Sequence, residues 1–153
     1  MSFSNTFETD LLSLLFTNVN IALLGDATGV RGSATAGSLY AALHTADPGE
    51  AGDQTTSESA YTGYARIAIS RDTGSWTVSS NAGTGQVVNN NTLSWGQCTA
   101  NPATVMWVSV GLASSGASKI LARMQITSPA GGQSLVVGAI PTITAGNLKL
   151  TLD

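Results

Sequence analysis

The residues able to do chemistry are few, and none completes a site. His44 is the only histidine in 153 residues, so a Ser-His-Asp relay would have to run through it. Asp47 is too near in sequence to support such a relay by itself. A lone histidine in a strand-like run reads as a side chain satisfied by hydrogen bonds within its own fold. Asp72-Thr73-Gly74-Ser75 spells the Asp-Thr-Gly string of aspartic proteases, whose chemistry needs two carboxylates sharing a proton. A second copy would have to supply the other acid, and Arg71 stands beside this one. The same four residues make a good hairpin turn, which is the better reading. Asp47, Glu50, Asp53 and Glu58 form the densest acidic cluster. Calcium needs six to eight oxygens in a fixed loop, and this spacing does not match. A solvated acidic loop is expected instead. Cys98 is the sole cysteine, which excludes an internal disulfide and a Cys-rich metal site. The glycine-rich stretches lack a phosphate-loop ending or a dinucleotide fingerprint. The expectation is a protein that is not an enzyme, with no catalytic, cofactor-binding or metal-binding residues.

The elements that position these residues follow from periodicity. Asn5 is placed as the cap of an N-terminal helix, with Glu8 as its capping-box partner. Phe3, Phe7, Leu11, Leu14 and Leu15 recur at helical spacing and form one apolar stripe. Such a stripe packs on the chain's own sheet or docks onto a neighbouring subunit. Residues 25–38, GDATGVRGSATAGS, form a loop or flexible connector of small residues. The organisation expected is an N-terminal helix or arm over 1–24, the 25–38 loop, and a β-sandwich, jelly-roll-like body over 39–153. Stripe and loop together suggest an attachment arm, with Phe3, Phe7, Leu11, Leu14, Leu15 and Arg31 as candidate partner-binding residues.

Strands are expected at LYAALHT (39–45), YARIAIS (64–70), SWTVS (75–79), within GQVVNNNTLSW (85–95) with a break at the asparagines, and at TVMWVSVGL (104–112). SKILARMQI (118–126), SLVVGAI (134–140) and NLKLTL (147–152) complete the set. Alternation puts Ile67 and Ile69 toward a core and Arg66 toward solvent. Trp76 and Trp107 are expected in the core, and Trp95, after the asparagines, less firmly so. About eight strands separated by Gly, Asn and Pro, without alternating helices, indicate an antiparallel β-sandwich or jelly roll with one N-terminal α-helix.

Composition narrows the partners. Charged residues are 10% of the chain and hydrophobic residues 42%, against about 25% charged in ordinary soluble domains. No charged side chain occurs from Thr73 to Ser118 or from Met124 to Leu148. Hydroxyl- and amide-rich surface is buried against a partner at lower desolvation cost than charged surface. The net charge is −3 and the six basic residues are scattered, which argues against nucleic acid and against a polybasic membrane anchor. The apolar stretch Leu11–Leu24 is interrupted by polar residues and too short for a bilayer. No secretion signal is visible, so folding in a reducing cytosol is expected.

The most distinctive sequence is LYAALHTADPGEAGDQTTSESAYTGYARIAISR (39–71). With SWTVSSN (75–81), WGQCTANPATVMWVSVGLASSGASKIL (95–121) and AGNLKLTLD (145–153), it resembles a family of small tailed-phage virion proteins. The resemblance covers most of the chain and carries no catalytic residues. It implies a structural virion protein, foremost a capsid cement or decoration protein with a jelly-roll fold on the outer head surface. The partners implied are the major capsid protein and further copies of the chain, as a dimer or trimer. Assembly would take place in the host bacterial cytoplasm. Related sequences labelled tail-fibre proteins make a tail or tail-fibre component the alternative. A host-glycan-binding module, stacking sugar on an exposed Trp95, is a third reading.

Overall fold

The computed structural model describes residues 3–22, 32–81 and 83–152. These form an α-helix, α1 (Asn5–Leu12), continued by a π-helical turn (Ser13–Thr17), and eleven strands. The strands are β1 (Ser38–His44), β2 (Ile67–Ser70), β3 (Trp76–Asn81), β4 (Thr84–Asn89), β5 (Leu93–Ser94), β6 (Thr104–Val105), β7 (Trp107–Gly111), β8 (Ile120–Gln125), β9 (Gln133–Ser134), β10 (Thr142–Ile143) and β11 (Lys149–Leu152). The chain is mainly β with antiparallel sheets and an N-terminal helix, as its periodicity requires. It divides into two compact units. One comprises the N-terminal segment to Ser38, Ser70–Asn91 and the C-terminal segment from Thr144; the other comprises Leu39–Ile69 and Thr92–Ile143.

In the first unit, β11, β4 and β3 form a three-stranded sheet in that order. Val78 pairs with Val87, and Val87 with Leu150, across antiparallel ladders. Alternation along β4 buries Gly85, Val87 and Asn89, as period-2 geometry demands. Leu12, Phe16, Trp76, Val87, Leu148 and Leu150 are the core. Phe16 meets Trp76 edge-on, ring centroids 4.9 Å apart and planes at 72°, a favoured aromatic geometry. The fully buried Asn89 closes the sheet end: its amide donates to Asn91 O and Thr144 O and its Oδ1 accepts from Leu148 N. The Asp72 turn precedes β3, its carboxylate accepting from Ser75 N at 2.8 Å. The Asp-Thr-Gly string is therefore a turn.

The second unit is built on the sheet β2-β1-β7-β8. β1 runs antiparallel to β7 from Tyr40↔Gly111 to His44↔Trp107, and β7 antiparallel to β8 with an irregularity between Val110 and Gly111. Ala41, Leu43, Val108 and Val110 are wholly buried. Two short ladders, β5 with β10 and β6 with β9, complete it.

Several local expectations are corrected. Residues 64–66 are not strand, because β2 begins at Ile67; Arg66 is therefore not held to the alternation that pointed it at solvent, and it is buried. Of the run expected as a strand over 134–140, only Ser134 lies in a strand, at the end of β9. The strong strand over 104–112 divides at Met106, whose N–H donates instead to His44 O at 2.8 Å.

Candidate assembly interface

The helix is fixed by three devices, none of them the expected capping box. Ser4, one residue before Asn5, is the N-cap; its backbone is extended and its hydroxyl accepts from Phe7 N. Glu8 does not reach back to the cap. It is 3% exposed, and its Oε2 accepts from Gly85 N at 2.7 Å, which ties α1 to β4. Gly85 permits that approach, since a Cβ there would lie 2.7 Å from Glu8 Cβ. Arg71 holds the other end. Its Nε donates to Leu15 O at 2.8 Å and its Nη2 to Leu14 O at 2.7 Å. A third bond runs from Nη1 to Ala36 O at 3.2 Å. Carbonyls in the last helical turn lack partners along the helix, and a cation there also suits the helix dipole.

These anchors divide the helix into two lines. Glu8, Leu12 and Phe16, each four residues apart, are buried. The apolar stripe read from the sequence lies one residue round: Phe3 is 55% exposed, and Phe7, Leu11, Leu14 and Leu15 are half-buried. The Phe3 and Phe7 rings meet at 5.2 Å. The structure places Phe7, Leu11, Leu14 and Leu15 on one anchored helical segment, with Phe3 just ahead of its cap. Arg31 lies outside the described residues.

The polar groups of the second unit serve its interior. His44 Nδ1 lies 2.8 Å from Thr56 O and Nε2 2.7 Å from Ser109 Oγ. A carbonyl only accepts, so Nδ1 carries the proton and Nε2 accepts from the Ser109 hydroxyl. Burial lowers the His44 pKa below its ordinary 6.5, outweighing the hydrogen bond to Thr56. This Ser-His pair resembles part of a hydrolytic relay, yet both side chains are fully buried.

Arg66 and Glu58 form a bidentate pair, Nε–Oε1 2.7 Å and Nη2–Oε2 2.8 Å. The remaining guanidinium protons go to Gln54 Oε1, Ala113 O and Gly116 O. The hydrogen bonds to Glu58 raise the pKa of Arg66 above its ordinary value. Tyr64 donates to Glu58 Oε1 and accepts from Leu43 N, with its phenol pushed up by burial. Glu58 is thus a member of a buried network and not of the solvated acidic loop. An open cavity of about 430 Å³ beside the network is lined by Tyr61, Tyr64, Arg66 and Ser114 among others. With every Arg66 N–H taken, that cation offers an entering anion no free donor.

Of the tryptophans expected in the core, Trp95 keeps that place and Trp107 departs from it. Trp95 is buried, so its ring cannot stack on a glycan. Trp107 is half-exposed, with the Arg123 guanidinium 5.5 Å from its ring centre. Arg123 also pairs with Asp47 at 3.1 Å. Among the described residues no group of three His, Cys, Asp or Glu is placed to hold a metal ion, and no helix is long and apolar enough to cross a membrane.

The chain is mainly β, several of its buried polar groups bond within its own fold, and its anchored helix keeps an apolar stripe half-buried. The chain belongs to the family described as Podophage GP4 fiber I protein gp80, which it matches over residues 2–151. It is thus a component of the tailed-phage virion, of a fibre family. No curated protein matches it. Signals for the anchors were weak in the sequence: Glu8 and Arg71 bond to backbone 77 and 56 residues away.

Proposed function

We propose that this chain is a non-enzymatic structural subunit of a phage tail fibre, joined to the particle through its N-terminal helix. The family description supports a fibre over the head-cement role. The observation that carries the attachment reading is the division of the helix: one line fixed to the sheet by Glu8, Leu12 and Phe16, and an apolar stripe that the unit leaves accessible. A rigid, pre-ordered stripe binds without a large ordering cost. The stripe's occupant is another virion protein. The burial of the Ser109–His44 pair supports a structural role, since that pair is sealed from solvent.

Phage carrying Phe7→Ser with Leu11→Ser tests the reading. Particles purified from such a phage should lack this protein, while the purified variant keeps its circular dichroism spectrum. Normal incorporation of the variant would refute attachment by the helix. Imaging of particles with the protein labelled tests the location. Label at the tail supports the fibre role, and label spread over capsomers would return the cement role with the major capsid protein as partner.

A further inference from the structure

The cavity beside the Arg66–Glu58 pair is built to take an uncharged ligand. Its volume of about 430 Å³ falls in the range of small-molecule sites, and all its lining residues lie in the second unit. The two charges at its wall answer each other. Arg66 spends its N–H groups on Glu58, Gln54, Ala113 and Gly116, so an anion finds no donor. The same guanidinium neutralises Glu58, so a cation finds no unbalanced carboxylate. Glu58 still serves as an acceptor. Its side chain keeps 19% exposure, and its Oε2 accepts from Arg66 Nη2 at 2.8 Å with lone-pair capacity for a further donor.

The rest of the lining narrows the ligand further. Ser59 is 2% exposed, its N–H donates to Leu43 O, and its hydroxyl has no partner among the described residues. A buried hydroxyl left without a partner is rare in a native fold and calls for one. Tyr61 donates its phenol proton to Gly96 O and Tyr64 donates its own to Glu58 Oε1. With both phenols engaged, the tyrosines contribute ring carbon to the lining. The exposed Ser114 and Ser115 add hydroxyls at the rim. A sugar ring carries hydroxyls at its edge and C–H bonds on its faces, which matches acceptor, hydroxyls and aromatic carbon together. We propose that this cavity binds a neutral saccharide. One sugar hydroxyl donates to Glu58 Oε2, others exchange hydrogen bonds with Ser59 and Ser114, and a C–H face lies on the Tyr64 ring. The site is independent of attachment through the helix.

Titration of the nitrogen-15-labelled full chain, followed by amide NMR, tests it. The probes are glucose, galactose, rhamnose and N-acetylglucosamine at millimolar concentration, with glucuronic acid as the anionic counterpart. At least one neutral sugar should shift the amide signals of residues 58–66 and 114–116, and glucuronic acid should not. Ser115→Trp, at the exposed rim, should abolish these shifts with an unchanged melting curve. Ala65→Trp, also exposed, should do the same, so that misfolding of one variant does not decide the matter. Phe7→Ser with Leu11→Ser should bind as the natural chain does, which separates this site from attachment through the helix. The proposal is overturned if no neutral sugar shifts these signals, if the shifts fall elsewhere, or if glucuronic acid binds equally well. A folded Ser115→Trp or Ala65→Trp variant that binds at full strength overturns it too.

Discussion

The two units of this chain solve the same problem by opposite means. The helix-bearing unit is organised by apolar contact, with Phe16 against Trp76 over Val87 and Leu150; two of its charged groups, Glu8 and Arg71, tie helix to sheet and loop through bonds to backbone. The other unit places a bidentate ion pair, a glutamine and a histidine among its buried groups. Arg66 gathers loops by donating to Ala113 O and Gly116 O while it grips Glu58. An apolar core tolerates loss of a contact according to how well the cavity refills. A buried charge network fails more abruptly, because removing one member strands the others. The difference teaches which positions set stability in each unit.

The largest expected effects test that contrast directly. Arg66→Met leaves the Glu58 carboxylate without its cation and two carbonyls without donors. The cost should be about 3–5 kcal/mol, toward the lower end because the Glu58 side chain keeps 19% exposure. Phe16→Ala should cost a similar amount, about 3–5 kcal/mol, from lost transfer energy and the cavity beside Trp76. Urea denaturation separates the two once Glu58→Leu is added to Arg66→Met. Removing the stranded charge should restore part of the loss. If the double variant is no more stable than Arg66→Met, the network works through its loop carbonyls and not through its charges.

A smaller effect is expected where backbone meets backbone. Gly85→Ala would place a Cβ 2.7 Å from Glu8 Cβ and 3.2 Å from Leu12 Cδ1. The helix must move or the Glu8–Gly85 bond must stretch, at about 1–3 kcal/mol, the usual cost of overpacking. Gly111→Ala is the matching intrusion in the other unit, 2.2 Å from Gln54 Cδ. Thermal melts followed by circular dichroism should show Gly85→Ala losing helical signal before strand signal. Loss of both together at an unchanged midpoint would mean that the approach at Gly85 does not limit the helix.

Much of the fold is legible in the sequence, because period-2 runs and turn formers act locally. The Asp72 turn, the break at Asn90–Asn91 and the pairing of His44 within its own fold all follow from short-range chemistry. The losses lie where a distant partner decides. Glu8 in a first turn suggests a capping box, but its partner is 77 residues away. That buried Glu8 also breaks the hydrophobic line 8, 12, 16, so hydropathy picks the neighbouring line of Phe3, Phe7, Leu11, Leu14 and Leu15. Arg66 seems solvent-facing because alternation presumes a strand, and the strand begins one residue later. Val136 and Val137 have strand propensity, which Gly138 and the bonds to Cys98 override. The segment that carries the family resemblance supplies Gln54, Glu58, Tyr64 and Arg66, so its distinctive residues build the network.

The smallest effect is a dependence on pH that belongs to one unit alone. Unfolded, His44 takes up a proton near its ordinary 6.5; folded, burial holds its pKa lower. Between those two values the unfolded chain binds more protons than the folded one, so stability falls as the pH falls. The contribution of His44 is fully present above about 6.5 and is lost progressively down to the folded pKa. Carboxylates add their own losses only below about pH 5. Melting curves across the window between should therefore slope downward toward acid, and His44→Gln, which has no charge to gain, should flatten the slope whatever its effect on the midpoint at neutral pH. An equal slope in the variant would mean that the Ser109–His44–Thr56 chain does not resist protonation, and that the buried polar groups of this unit are less sealed from solvent than their packing implies.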